Sequence, residues 1–198
     1  TPMCQVESWD HHRYEDRILP HGYDWVTIGD VHGCIDELKE LLTKYGFEID
    51  GLEMRDTERS KNVGIIFVGD LVDKASPQAL EETIRFIHKN MDAFGDRFHM
   101  VMGNHEEMVW KWTTDDPSLE KTAERLWQKE HYYNTTFVLE QNEEVRTMFL
   151  EIFAKMKGWV KTIGKNKRSF IVTHAPCEIK YLEKMNKKSL MKQYKCAS

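Results

Sequence analysis

Four short stretches place carboxylate, imidazole or carboxamide groups directly after apolar runs. They are Gly29-Asp30-Val31-His32-Gly33, Gly69-Asp70-Leu71-Val72-Asp73, Gly103-Asn104-His105-Glu106 and Thr173-His174. A carboxylate at the tip of a buried strand is desolvated at a penalty unless it is paired or bound to a cation. One Gly-Asp is an ordinary turn, and any of these histidines taken singly reads as a core or surface residue. Four tips mixing Asp, His and Asn are not explained as turns. Nitrogen and oxygen donors without thiolate suit Mn²⁺, Fe or Zn²⁺ better than a structural zinc site. More than four candidate ligands point to two ions sharing a bridging carboxylate. Such ions, about 3.5–4 Å apart, activate water for displacement at phosphorus.

The elements that must present these tips follow from the pattern around them. Trp25–Ile28 is a β-prone run ending at Gly29-Asp30, and Ile35, Leu38, Leu41, Leu42 and Tyr45 recur at helical spacing over 35–45. Residues 50–62 are charged and contain Gly51, which predicts a loop. Val63–Val68 reads as a buried strand, and Ser76-Pro77 as the N-cap and first position of a helix carrying Leu80, Ile84 and Ile87 on one face. Phe98–Met102 is a further strand, and helical material fills 106–157 with an interruption near Asp115-Asp116-Pro117. Trp159–Ile163 and Ser169–Thr173 read as a hairpin. Strand, loop and helix in alternation predict an α/β fold with its ligands at the carboxyl ends of the strands.

At 198 residues the chain suits one domain, with residues 1–22 as a loosely attached, irregular lead-in and 23–198 as the folded part. A net charge of −5 does not suggest a general nucleic-acid binder. Lysines and Arg168 cluster toward the C-terminal end, most simply as a solvated face, with attraction of a phosphorylated substrate as the sharper reading. Cys4, Cys34, Cys177 and Cys196 show no paired spacing, which predicts reduced thiols and a cytoplasmic protein. No apolar stretch approaches the roughly 20 residues of a membrane span.

GDVHG, GDLVD and GNHE, with Asp30, Asp70 and Asn104 at intervals of 40 and 34 positions, resemble the phosphoprotein-phosphatase branch of the calcineurin-like metallophosphoesterases. The surrounding text is most similar to bacterial and phage members: serine/threonine phosphatases, diadenosine tetraphosphate hydrolases and the phosphatase module of polynucleotide kinase-phosphatase. The resemblance implies a two-sheet β-sandwich flanked by helices, with two divalent ions at the strand ends. Manganese is the first choice, and iron, zinc or nickel are alternatives. By position, Asp30 and His32 would bind the first ion, Asp70 would bridge, and Asn104 and His174 would bind the second. His105 would be the general acid, oriented by Asp73, and a hydroxide bridging the ions would attack phosphorus in line. Cys34 then needs no nucleophilic role.

The chain departs from the family pattern in two places. The usual GDxVDRG is here GDLVDKA, so Lys74 stands where an arginine grips phosphate, and it keeps the charge without the planar fork. The family also supplies a further downstream histidine to the second ion, whereas none follows His174. This predicts a C-terminally incomplete copy lacking its last strands. Otherwise the second site is weaker, or a substitute comes from His11, His12 or His21. Glu106 and Glu107 are expected to cap the next helix, with Glu107 exposed. The expected substrates are phosphoproteins, dinucleoside polyphosphates or nucleic-acid phosphate ends. A non-catalytic metal- and phosphate-binding protein is the competing reading, and a nuclease a weaker one.

Overall fold

The computed structural model describes residues 12–114, 134–163 and 168–176. In chain order it runs β1 (Asp24–Ile28), α1 (Ile35–Lys44), β2 (Glu48–Asp50), β3 (Glu53–Arg55), β4 (Val63–Phe67), α2 (Pro77–Phe94), β5 (Phe98–Met100), α3 (Asn104–Thr113), α4 (Asn134–Gln141), α5 (Glu143–Lys155), β6 (Val160–Ile163) and β7 (Ser169–Val172). β1, β4 and β5 form a parallel sheet in that order. Ile28 pairs with Phe67 and Phe67 with Met100, so the three strands end level. Parallel direction and level ends bring the first three polar tips to one edge, where ligands of open α/β sheets gather.

β4 is apolar throughout because both of its faces are covered. Ile65 and Phe67 join the main core with Leu38, Leu42, Leu80 and Ile84 from α1 and α2. Ile66, pointing the other way, packs with Leu19, Val101 and Val160 in a smaller core under the antiparallel hairpin β6–β7. The sheet thus lies between a helical layer and a hairpin layer, which is the sandwich in its local form.

α2 starts as the sequence predicts, with Pro77 at its first turn and Ser76 Oγ accepting from Ala79 N–H at 3.3 Å. Its other flank packs against α4 and α5, the latter capped by Asn142 Oδ1 on Val145 N–H.

Several expectations shift. The span 50–62 is not all loop, because β3 folds back on β2 around Gly51 (φ 59) and pairs Met54 with Ile49. In three-residue strands the alternation is carried by that single apolar pair, too little to show in the sequence. The third strand stops at Met100, since Val101 bridges to Lys157 and Met102 N–H bonds Lys157 O at 2.9 Å. Helical structure after it begins at Asn104, and the expected interruption at 115–117 lies outside the described residues. The lead-in is not loose over its described part. Leu19 is 1% exposed, its N–H bonds Lys161 O at 2.8 Å, and Arg17 stacks on Trp159. Among the described residues no helix is long and apolar enough to cross a membrane.

Candidate metal centre

The backbone of the tips is unusual before any side chain is considered. Asp30 (φ 44), His32 (φ 43), Asp70 (φ 52), Asp73 (φ 68) and Lys74 (φ 63) are left-handed, and among the described residues no other non-glycine residue is. Each such conformation costs about 1–2 kcal/mol for an L-residue, so five in two loops mark a site the rest of the fold must hold in place. Gly69 and Gly103 allow two tips to meet. A Cβ on Gly69 would lie 2.5 Å from Gly103 N and 2.8 Å from His174 Nδ1.

Asp70 is 5% exposed and sits at the centre. His32 Nε2 is 3.7 Å and His105 Nε2 3.9 Å from its Oδ2, while His174 Nε2 is 3.5 Å from its Oδ1. Two groups of ligand atoms lie within 4.8 Å of one another, His32/Asp70/His105 and Asp30/Asp70/His174, and Asp70 belongs to both.

The donor chemistry fits cations. His32 Nδ1 lies 2.7 Å from Val72 O and His174 Nδ1 2.7 Å from Val68 O. A carbonyl only accepts, so each Nδ1 carries a hydrogen, and each ring turns its Nε2 toward Asp70. Asn104 Oδ1 is 3.0 Å from His174 Nε2. An imidazole nitrogen, an amide oxygen and a carboxylate thus converge on one point. Such groups repel unless a cation stands among them.

His105 differs from the other two imidazoles. Its Nδ1 bonds Asp73 Oδ2 at 2.7 Å, and Asp73 is 1% exposed. Burial pulls the His105 pKa down, but the Asp73 hydrogen bond and the Asp70 and Asp73 charges outweigh it, and the net shift is upward. By distance alone His105 could be a third ligand beside His32 and Asp70. Its carboxylate partner instead favours a ring that holds a proton at Nε2.

Lys74 is exposed, with Nζ 2.9 Å from His32 Nε2, at the rim of the centre. The loop that carries Asp73 and Lys74 is held by the start of α4. Asp73 N–H bonds Thr135 Oγ1 at 2.9 Å, and Asn134 Nδ2 bonds Ala75 O at 2.7 Å. Neither Asn134 nor Thr135 carries a sequence signal, because the contact joins loops about 60 residues apart.

The structure brings Asp30, His32, Asp70, Asp73, Lys74, Asn104, His105 and His174 into this one cluster. The proposed substitute histidines stand apart: His12 Nε2 bonds Ala154 O at 3.2 Å, His21 is exposed at a turn, and His11 lies outside the described residues. Glu107 is not exposed as expected but half-buried in an ion pair with Lys111. Glu106 reaches the N-cap Gly103 N–H at 3.0 Å, as a cap should, yet it also bonds the Asp70 loop. That second contact was not readable from the sequence.

A family model described as calcineurin-like phosphoesterase matches residues 26–195. The chain belongs to the calcineurin-like phosphoesterase family. This calcineurin-like phosphoesterase is 33% identical over 105 residues to the asymmetrical bis(5'-nucleosyl)-tetraphosphatase PrpE of Bacillus velezensis, covering 50% of this chain and 39% of that one. It is 26% identical over 148 residues to the PrpE of Oceanobacillus iheyensis, covering 75% and 54%. A symmetrical bis(5'-nucleosyl)-tetraphosphatase of Hamiltonella defensa is 38% identical over 79 residues, covering 40% and 22%. The chain therefore spans about half or less of the length of these relatives. A mutant cold-active protein tyrosine phosphatase shares the fold at a TM-score of 0.52 and 16% identity, over 91% of this chain and 51% of that one.

Proposed function

We propose that this calcineurin-like phosphoesterase hydrolyses phosphate monoesters or nucleotide phosphoanhydrides at a dimetal centre. The observation that carries the reading is Asp70 standing in two ligand groups at once, beside an imidazole held by a buried carboxylate. By the family pattern Asp30 and His32 would hold one divalent ion, Asn104 and His174 the other, and Asp70 both; by distance Asp30 groups with His174, and His105 stands beside His32. When bound, two such ions lower the pKa of a water and neutralise charge developing at phosphorus.

The remaining work falls to the chain's own groups. Asp73 keeps His105 protonated and aimed, and His105 gives the Nε2 proton to the leaving-group oxygen. Lys74 supplies a point charge for the substrate phosphate at the rim. The donor set of imidazole, carboxylate and carboxamide suits manganese first, with iron, zinc and nickel next. Dinucleoside polyphosphates are the leading substrates, because the curated relatives above carry tetraphosphatase names. Phosphoproteins and nucleic-acid phosphate ends follow. The exposed free thiol of Cys34 fits the reducing cytoplasm.

A second reading, metal and phosphate binding without turnover, is favoured by Lys74 in place of arginine. Assays of diadenosine tetraphosphate, p-nitrophenyl phosphate and its bis ester with Mn²⁺ separate the two. Turnover that disappears in His105→Ala while two Mn²⁺ remain bound supports hydrolysis. Metal binding without turnover of any of the three supports the second reading, and preference for the bis ester supports a nuclease.

A further inference from the structure

Glu106 is 0% exposed and accepts four backbone hydrogen bonds. Its Oε2 takes Asp70 N–H at 2.8 Å and Gly103 N–H at 3.0 Å, and its Oε1 takes Leu71 N–H at 2.6 Å and Val72 N–H at 3.3 Å. Three consecutive N–H groups following left-handed Gly69 (φ 84) and Asp70 (φ 52) make a concavity of the kind that binds anions. Here the anion is internal. The N–H groups of residues 70–72 are therefore spent on Glu106 and not on a substrate phosphate.

The same concavity sets the backbone of Asp70, the residue common to both ligand groups. A left-handed aspartate persists only where its surroundings over-determine it. Glu106 bonds the three amides of that loop and ties them to Gly103 at the next strand tip. Ile84, Phe149 and Ile152, with Thr83, line the same small cavity.

We infer that Glu106 is the positioning residue for Asp70, clamping the two strand tips together so that one carboxylate serves both ion sites. This rests on the dimetal reading above and deepens it, since Glu106 touches neither ion nor substrate. The clamp needs a carboxylate of this length. Each oxygen accepts two N–H groups, so a glutamine would turn an NH₂ against two donors. An aspartate on the first turn of α3 would fall one methylene short.

The test is Mn²⁺ titration of wild type, Glu106→Gln and Glu106→Asp, followed by electron paramagnetic resonance of free Mn²⁺, with amide hydrogen exchange on the metal-free proteins. Glu106→Gln is expected to bind Mn²⁺ about 10- to 100-fold more weakly at both sites, and its Asp70 and Leu71 amides lose protection. Glu106→Asp should show the same losses, since it keeps the charge but not the reach. Unchanged affinity in Glu106→Gln, or loss at one site only, overturns the inference. A wild-type protein that takes up no Mn²⁺ overturns the dimetal reading instead. Should Glu106→Gln not fold, the metal-free wild type decides: Asp70, Leu71 and Gly103 amides exchanging as fast as an exposed loop overturn the clamp.

Discussion

His105 and Asp73 are joined by a 2.7 Å hydrogen bond from Nδ1 to Oδ2, and the other Asp73 oxygen, Oδ1, is buried with no hydrogen-bond partner among the described residues. Among the described residues the side-chain carboxylate thus has one hydrogen-bond partner, the His105 imidazole. Asp73→Asn keeps an oxygen for Nδ1–H but removes that charge. The expected result is a fall in kcat of about 10²–10³, with KM nearly unchanged and metal content intact. Steady-state kinetics with metal analysis on the same preparations checks it, and an unchanged kcat would remove Asp73 from the proton-delivery pair.

Lys74 lies 2.9 Å from His32 Nε2 and on the exposed rim. A guanidinium in its place could grip two phosphate oxygens at once. Lys74→Arg should lower KM several-fold, roughly 1 kcal/mol in binding, and leave kcat alone. Kinetics unchanged in both parameters would count against any phosphate contact by Lys74.

Gly103 packs directly beneath Asp70. A Cβ there would overlap the Asp70 carboxylate and amide and would fall 2.7 Å from Glu106 Oε2. Gly103→Ala should therefore lose about 1–3 kcal/mol of stability through overpacking and bind Mn²⁺ poorly. Gly29→Ala, where nothing lies within 4 Å of a new Cβ, is the control and should unfold in urea like wild type.

His99 gives the pH dependence of stability away from the site. Burial, with the nearby Lys157 charge, lowers its pKa to about 4 from the ordinary 6.5. The unfolded chain therefore binds the proton first as pH falls below 6.5. Stability is full above that value and lost progressively toward pH 4, by about 3 kcal/mol at most. Thermal melts across this window should show the fall, and His99→Phe, which cannot take a proton, should flatten it.

Much of the site was legible because its chemistry is local. Asp30 with His32, Asp70 with Asp73, and Asn104 with His105 each sit within a few residues of a strand end, and an apolar run ending in such groups can be seen without a fold. β1, β4, α1 and α2 were legible for the same reason, since their periodicity or capping lies within one segment. The β2–β3 pairing was not, because three-residue strands carry a single apolar contact. Nor were the roles of Thr135, Asn134 and Glu106, whose partners are reached only through tertiary contact. A glutamate at the third position of a helix looks like a cap, and only the approach of the Asp70 loop makes it a clamp.

The sequence by itself determined which groups are available for chemistry and which strands end in them, because donor type and hydrophobic period are properties of short segments. Tertiary structure decided which of those groups meet. The level ends of β1, β4 and β5 bring three tips to one edge, the β6–β7 hairpin carries His174 in over Val68, and Asp70 becomes shared. That sharing depends on parallel register and close glycine contact between distant loops, which no local pattern encodes.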